Sequence, residues 1–420
     1  MIHIKRTALV ATLGLTLLTP AFSEATALAD SEAMTRGQFI QLITNELKLI
    51  PANKQAALPP DVSADSAYAD AVRVMLERKA MNGYSDGMFR LEQPISKEEA
   101  GYILGRFLGI ADSKASSVLQ ENFGADFGTE TGLIKDAATA LIKKSLATDP
   151  AVSQWLADAA KTQTNLTSFR ADVDMKMSIA FKPGPGMGGN TSNFTTEINS
   201  AIEFNKNQGL HQTITTTAPG SDLAARTIKT EQYTVTHGTY MSLPNEANDG
   251  TVWYDMTKQM PFTFEELMKL QEKSTQVNQS LVAPYFFYKD LGTTEKDGKK
   301  LRQVEIHGKI TNTADILKTL GGLGSRGQNM IKDLENSPAL ADMSVGLSAV
   351  LTLDEESKLP VSMNGDYIIA YGDDPENPID HMDMSMTMVF KDYNQPINIV
   401  LPDEAKKAVP FTMPAVPAAE

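Results

Sequence analysis

The spacing of apolar residues changes about one third of the way along the chain. Between residues 30 and 148, apolar residues recur three and four positions apart, as from Phe39 to Leu47, which is the spacing of an amphipathic helix. Beyond residue 149, apolar and polar residues alternate over long stretches, and the run 173–181 places every odd residue on one face of a strand. The pattern therefore predicts an α+β protein, in which a helical region precedes a large antiparallel sheet.

Three helix starts repeat one pattern within the helical region. Residues 35–38 and 96–99 form capping boxes, T-x-x-Q and S-x-x-E, in which the first and fourth side chains can satisfy each other's backbone amides. A third start follows Ile134 in the same register, without a recognisable cap. The matching apolar positions are Phe39, Leu42, Ile43 and Leu47, then Ala100, Ile103, Leu104 and Leu108, then Ala138, Leu141, Ile142 and Leu146. We therefore predict an internal threefold repeat.

Each of the three helices carries one base in its first turn: Arg36, Lys97 and Lys135. A helix N-terminus disfavours a cation through its dipole, so three bases at this position favour an anionic partner as the explanation. Ordinary solvated surface residues remain the other interpretation of the same three side chains.

The segment 82–94 is typical of a tight loop that leads into the second helix. Gly83 and Gly87 are predicted to supply positive φ angles, and Asp86-Gly87 is a turn dipeptide. The backbone can then double back with its amides exposed to a ligand. Pro94 prevents an earlier helix start, which places the first turn at about Lys97.

The stretch from residue 58 to residue 100 resembles a complete S-layer homology (SLH) motif. The resemblance is carried by LPPDV at 58–62, YADAV at 68–72, NGYSDGMF at 82–89 and PISKEEA at 94–100. SLH motifs come in threes, and the resemblance implies an all-α, three-lobed pseudo-trimer that binds anionic secondary cell-wall polysaccharide, often pyruvylated, in the grooves between its lobes.

The same resemblance implies which residues hold the sugar. They would be the bases Arg36, Lys97 and Lys135, with the loop residues Gly83, Tyr84, Ser85, Asp86 and Gly87. The second motif has Ser96-Lys97 where Thr-Arg is usual in the family. Because lysine lacks the planar guanidinium fork, we expect the groove at Arg36 to be the most competent of the three.

The first 29 residues have the features of a secretory signal peptide. Two bases precede an apolar run from Ala8 to Leu18, which is too short to cross a membrane, and Ala27-Leu28-Ala29 offers an A-x-A cleavage site. The chain has no cysteine, which excludes disulfides, thiolate metal sites, thiol catalysis and a lipobox anchor. We therefore expect a secreted protein that stays at the cell wall, in the S-layer zone, by binding the polysaccharide of the wall.

The chain is acidic, with 38 bases against 52 acids, and loss of the first 29 residues would leave 36 against 51. Nucleic acid is therefore not expected as a partner. Repulsion from an anionic wall polymer is screened over about 8 Å at physiological salt, so wall binding would depend on locally placed bases. No further transmembrane segment is predicted.

A domain boundary is predicted near residues 148–150, where Asp149 can cap a new helix that has Pro150 at its first position. The expected division is a signal peptide at 1–29, a degenerate SLH domain at 30–148, a second domain at 149–406 and a flexible tail at 407–420. The predicted strands are 173–181, 194–204, 210–217, 226–236, 252–256, 301–310, 345–353, 361–371 and 382–390. The predicted helices among them are 264–273, 314–320 and 329–334. We expect one large antiparallel sheet with its helices segregated to one side.

A methionine stripe marks the strand near the end of this domain. Its members are Met382, Met384, Met386 and Met388, and Met175 and Met177 begin the domain in the same style. Three interpretations stay open: ordinary core packing, a pliable cavity wall for an apolar or lipid ligand, and copper(I) binding through the thioethers.

The region 150–406 is similar to LolA-like surface lipoproteins. The similarity is carried by the segment 390–405, by Ser168-Phe169, by Gly238-Thr239-Tyr240-Met241 and by Trp253-Tyr254. It implies a curved half-barrel with helices closing its concave face, in a group whose better-known members carry lipids or lipoproteins.

Common catalytic motifs are missing from the sequence. It has no H-E-x-x-H and no P-loop, and the glycine-rich segment 321–327 lacks the P-loop lysine. Residues 83–87 fit the pattern G-x-S-x-G, but they belong to the loop of the SLH-like motif. We expect no catalysis, no cofactor and no metal site. The sequence predicts a non-catalytic surface protein on anionic wall polysaccharide, whose half-barrel binds a hydrophobic or lipid-like ligand. A structural or interaction protein without a small-molecule ligand, and an extracellular enzyme with an unrecognised site, remain the alternatives.

Overall fold

The computed structural model of the protein describes residues 33–125, 132–182, 194–219, 225–245, 250–260, 263–269, 283–311, 313, 342–372 and 377–411. We call residues 33–147 the helical region and residues 148–411 the sheet region. The helices with assigned bounds are α1 (Arg36–Glu46), α2 (Ala69–Glu77), α3 (Lys97–Phe107), α4 (Asp112–Phe123), α5 (Lys135–Leu146) and α6 (Pro150–Thr164). The predicted α+β class is confirmed in this coarse form. The signal peptide and the helices at 314–320 and 329–334 lie outside the described residues.

The predicted helix starts are confirmed. The Thr35 side chain accepts from the amide of Gln38, whose side chain accepts in turn from Thr35, and Ser96 and Glu99 form the same reciprocal pair. Helix α5 follows Ile134 without a side-chain cap, as its sequence predicts.

The segments that precede these three helices meet in space. Met34, Ile95 and Leu133 occupy equivalent positions two residues before α1, α3 and α5, and all three are buried. The amide of Ile95 donates to the carbonyl of Met34 at 2.9 Å, and the amide of Met34 donates to the carbonyl of Leu133 at 2.8 Å. The internal repeat therefore brings its three helix starts together around shared backbone hydrogen bonds.

Helix α6 opens the sheet region as predicted, because Asp149 caps the amide of Ala151 and Pro150 stands at the first helical position. The strands that follow are β1 (Ser168–Phe181), β2 (Phe194–Asn205), β3 (Gly209–Pro219), β4 (Ala225–Val235), β5 (Gly238–Pro244), β6 (Thr251–Asp255), β7 (Phe286–Lys296), β8 (Lys299–Ile310), β9 (Ser344–Asp354), β10 (Pro360–Ala370), β11 (Ile379–Lys391) and β12 (Val409–Pro410).

The strands form one open sheet in the order β12-β6-β5-β4-β3-β2-β1-β11-β10-β9-β8-β7. Every pair is antiparallel except β12 with β6. All nine predicted strands are present, while β5, β7 and β12 are additional. A short helix at 264–269 covers the described part of the helix predicted at 264–273. Residues 409–410, which the predicted flexible tail includes, lie in β12.

The two faces of the sheet differ in chemistry. The methionine face carries Val173, Ile306 and Met386, and α6 packs on it through Val152 and Leu156. Neighbouring residues along each strand point to the opposite side, which we call the polar face.

The helical region packs on the polar face. Asn122 at the end of α4 donates to buried Glu305 of β8 at 2.6 Å, and the ring of Phe123 lies 5.5 Å from that of His307. Because Glu305 and His307 flank Ile306 on β8, these contacts lie opposite α6. The expected placement of the helices at 264–273, 314–320 and 329–334 on one side of the sheet stays a prediction, because most of these residues lie outside the described part of the chain. Helix α6 covers the methionine face, and α4 covers part of the other.

Candidate functional site

The loop that precedes α3 is closed by its own backbone. The amide of Tyr84 donates to the carbonyl of Met88 at 2.9 Å, and the amide of Gly87 donates to the carbonyl of Tyr84 at 2.8 Å. Asp86 accepts a hydrogen bond from the amide of Met88 at 3.0 Å, and this bond lowers the pKa of its carboxyl group. Several loop amides are thus used internally instead of facing a ligand.

The two loop glycines serve different purposes. Gly87 has φ 77°, as predicted, in the left-handed region that glycine enters without strain. The prediction of a positive φ for Gly83 is wrong. A Cβ atom at Gly83 would lie 3.1 Å from the carbonyl carbon and oxygen of Gly87, so glycine provides space there for the closed loop.

Arg36 joins the first helix to this loop. Its side chain is 6% exposed, its Nε donates to the carbonyl of Phe89 at 2.9 Å, and its Nη1 lies 2.6 Å from Glu99 Oε1. The guanidinium carbon lies 4.7 Å from the ring centre of Tyr84. Arg36 therefore links α1 to the loop that precedes α3, and it is largely buried and paired with a carboxylate.

A second arginine lies against the same tyrosine. The guanidinium carbon of Arg90 is 4.3 Å from the ring centre of Tyr84, and its Nη2 lies 2.6 Å from Asp86. Burial raises the pKa of Tyr84, as does the hydrogen bond that its hydroxyl donates to Glu99 at 2.8 Å. Arg90 is 40% exposed, so it offers the more accessible guanidinium of the two.

The structure brings some of the predicted sugar-binding residues together. Arg36 and the loop 83–87 meet through Tyr84, whereas Lys97 and Lys135 lie at the starts of α3 and α5, both half-buried. We call Arg36, Tyr84, Asp86, Arg90 and Glu99 the Tyr84 cluster.

Sequence reasoning singled out neither Arg90 nor Asp61 for a role. Asp61 accepts hydrogen bonds from the amides of Phe89 and Arg90 at 2.9 and 2.6 Å, and so holds the end of the loop. Arg90 has φ 48°, which turns the chain sharply after Phe89. Arg90 carries no pattern of its own, and the LPPDV segment that contains Asp61 gives no sign of its partners, so only the fold reveals their contacts.

The methionine stripe lies on the face that α6 covers. The four methionines of β11 are each less than a tenth exposed, and Met382 is 1% exposed. Met386 of β11 lies directly opposite Met175 of the neighbouring strand β1, and Met384 lies opposite Met177. Met175 and Met177 are half-buried. The stripe therefore consists of a packed strand, β11, beside a more accessible one, β1.

The part of the chain that the structure describes contains no cluster of metal ligands and no helix that could span a membrane. Among the described residues, no three His, Asp or Glu side chains are grouped so that they could hold a metal ion. None of the described helices has the length and apolar character needed to cross a membrane.

Two family models match the sequence. A model for a family of unknown function, DUF6612, matches residues 151–410, and the model of the S-layer homology domain matches residues 60–100. The second match confirms the resemblance predicted for that stretch. No curated protein matches the chain.

One solved structure to which the chain is similar is a beta-barrel-like protein of domain of unknown function DUF1849 from Brucella abortus. The two share 12% identity over 54% of this chain and 99% of the other, with a TM-score of 0.19.

Proposed function

We propose that this chain, which belongs to the DUF6612 family of unknown function and contains an S-layer homology domain, is a non-catalytic protein held on the cell wall by its helical region. An SLH domain implies association with the cell surface or cell wall. The proposed ligand is an anionic, pyruvylated secondary cell-wall polysaccharide. The backbone pairing of the three helix starts supports the three-lobed arrangement that this family resemblance implies.

The observation that carries the proposal is the Tyr84 cluster, where two guanidinium groups flank one aromatic ring. A guanidinium group binds a carboxylate through two parallel hydrogen bonds, which suits the carboxylate of a pyruvyl group. Arg36 is committed to Glu99 and to the loop, so it positions Tyr84. Arg90 is paired only at the surface with Asp86, and a ligand carboxylate can replace that partner at little cost.

Sedimentation with purified wall fragments tests the assignment. Arg90→Ala should weaken wall binding about tenfold, equivalent to about 1.4 kcal/mol, and Arg36→Ala should also weaken it. Because Arg36→Ala leaves Glu99 without its charged partner, thermal unfolding of each variant must accompany the assay. Lys54→Ala, at an exposed position outside the cluster, removes the same charge and should change nothing.

Two results would contradict this assignment. Unchanged sedimentation of folded Arg90→Ala and Arg36→Ala proteins would remove the cluster from the binding site. Equal sedimentation with walls stripped of their polysaccharide would remove the polymer as the ligand.

A hydrophobic or lipid-like ligand on the methionine face is our second proposal. It is favoured by the partial exposure of Met175 and Met177 beside the buried methionines of β11, because unbranched thioethers adapt to ligands of varied shape. Organic-solvent extraction of the purified protein, followed by mass spectrometry, tests it. A protein with no bound or exchangeable lipid would instead favour the alternative, a structural or interaction protein of the envelope.

A further inference from the structure

The polar face of the sheet is covered at both ends and open between them. The helical region covers β8 at one end, through Asn122 and Phe123. At the other end, Ile397 and Ile399 pack on Tyr233 of β4. Between these two regions the polar face of β2, β1, β11, β10 and β9 forms a groove with a volume of about 520 Å³.

Five neighbouring strands contribute one row of side chains to this groove. Ser348 of β9, Asp366 of β10, Ser385 of β11, Lys176 of β1 and Glu197 of β2 lie directly opposite one another in the register. Since strands in a sheet are about 4.8 Å apart, this row extends about 19 Å across the sheet. Along this row the short side chains of Ser348 and Ser385 alternate with the longer ones of Asp366 and Lys176.

A parallel row two residues away supplies further polar groups. Asn364, Thr387, Asp174 and Asn199 line the groove from β10, β11, β1 and β2. Asn199 donates to Asp174 at 2.6 Å, which orients its amide. The two rows together offer carboxylates, amides and hydroxyls along one extended surface.

The charges of the groove disfavour an acidic polymer as its occupant. Asp174, Glu197 and Asp366 provide three carboxylates, whereas Lys176 is the base of the lining. Lys114 of α4 reaches the rim, where its Nζ lies 3.3 Å from Asp366. The remaining negative charge repels a polyanion, and the lining has no aromatic ring for an apolar ligand.

We propose that this groove is a second binding site, which takes an extended, uncharged glycan rich in hydroxyl groups. Sugar hydroxyls donate to the carboxylates of Asp174 and Glu197 and accept from the amides of Asn199 and Asn364, directly or through water. The choice of a glycan rests on the proposed function, which places the protein among wall polymers. The site itself lies in the sheet region, apart from the Tyr84 cluster.

Titration of the full chain with three hexasaccharides of different charge tests the proposal. Chitohexaose is uncharged, fully deacetylated chitosan hexamer is cationic, and hexagalacturonate is anionic. Chitohexaose should bind.

Ser385→Tyr should fill the groove and weaken this binding at least tenfold, and Asn364→Ala should weaken it several-fold. Thr213→Tyr adds the same ring at an exposed position of β3 and should leave the affinity within twofold of the unmodified chain.

Three outcomes would overturn the proposal: no saturable binding of chitohexaose up to about 10 mM, binding of the cationic hexamer alone, or unchanged affinity in a folded Ser385→Tyr protein. Wall sedimentation separates this proposal from the first one. Ser385→Tyr should still sediment with wall fragments, because the Tyr84 cluster is intact. If Arg90→Ala sediments like the unmodified chain, the assignment of the Tyr84 cluster fails. The groove proposal is then decided by the chitohexaose titration alone.

Discussion

At the scale of single residues, Asp61 holds the end of the loop beside Arg36. Its carboxylate accepts from two successive amides, Phe89 and Arg90, which would otherwise point into solvent at a sharp turn. Burial raises the pKa of Asp61, but these hydrogen bonds outweigh it and hold the pKa below its usual value. The ionised form of this side chain is therefore part of the folded loop.

Asp61→Asn should destabilise the helical region by about 1 kcal/mol, because an amide accepts these bonds less well than a carboxylate. A carboxyl group with a lowered pKa stabilises the fold above its unfolded pKa of about 3.9 and loses that contribution as the pH falls through its folded value. Urea unfolding at pH 7 and at pH 3 should therefore show a smaller difference between variant and parent at the lower pH. Asp65→Asn, at an exposed position nearby, is the control; an equal loss in both variants would contradict the role of Asp61.

At the scale of elements, β11 stands at the centre of the sheet region. It pairs with β1 on one side and β10 on the other, and its methionines pack in two adjoining clusters. This burial favours core packing as the main role of the stripe on β11. A ligand would then meet the half-buried side chains of β1 first.

Met382→Ala should reduce the free energy of unfolding by about 2–4 kcal/mol without any added ligand, because Met382 is almost fully buried. Met88→Ala removes the same atoms at a residue that is 36% exposed and should cost less than about 1 kcal/mol. Guanidinium unfolding followed by circular dichroism measures both. A small cost at Met382 would mean that this strand is not packed as core, and would favour a ligand-lined wall.

Periodicity and caps predict elements well in this chain, because each depends on a few neighbouring residues. The capping boxes at Thr35 and Ser96, the helix start at Pro150 and nine strands follow from local pattern alone. Strand β7 was missed because Phe286, Phe287 and Tyr288 are buried on both faces and show no alternation.

The placement of the helices on the sheet depends on long-range contacts that no local pattern encodes. The same holds within the Tyr84 cluster. Arg36 and Tyr84 were predicted from a known motif, whereas Arg90 and Glu99 join them only through the folded loop.

At the scale of the whole molecule, the helical region is packed directly against the sheet. Gly109, after α3, approaches the sheet so closely that a Cβ atom there would lie 2.1 Å from the carbonyl oxygen of Gly308 and 2.8 Å from the amide nitrogen of Leu347. Gly109 also has φ 71°, so glycine is required both for conformation and for space. This contact fixes the distance between the two regions.

Gly109→Ala should therefore separate the helical region from the sheet. Gly124→Ala is a matched control, because Gly124 has φ 60° and a Cβ atom there meets nothing within 4 Å. The control should lose only about 1–2 kcal/mol from backbone strain, whereas Gly109→Ala should lose more and should expose the boundary near residue 148 to proteases. Small-angle scattering and limited proteolysis measure the separation. Equal behaviour of the two variants would show that the Gly109 contact does not hold the regions together.

Lys309 makes the packing of the helical region on the sheet dependent on pH. Burial, with smaller effects from nearby Lys79 and Arg106, lowers its pKa to about 8. Its Nζ donates to the carbonyl of Lys79 at 3.4 Å. Since an unfolded lysine titrates near pH 10.4, the unfolded chain binds more protons between about pH 8 and pH 10, and stability should rise with pH across this window.

Lys309→Met should be more stable than the parent at pH 7 by about 2 kcal/mol, and the difference should shrink toward pH 10. Thermal unfolding across this range measures the effect. The exposed Lys299→Met variant should show no such trend. A pH-independent difference at Lys309 would attribute the gain to packing instead of charge.

Helix α3 links the Tyr84 cluster to the sheet, since Glu99 stands in its first turn and Gly109 follows its last. Its 11 residues span about 16 Å. If a cell wall pulls on the cluster, the tension has two routes into the rest of the protein. One is the covalent chain at residues 147–149, and the other is the packed contact of the helical region with the sheet, where Asn122 donates a hydrogen bond to Glu305. A surface protein built this way can resist mechanical load without relying on a single flexible tether.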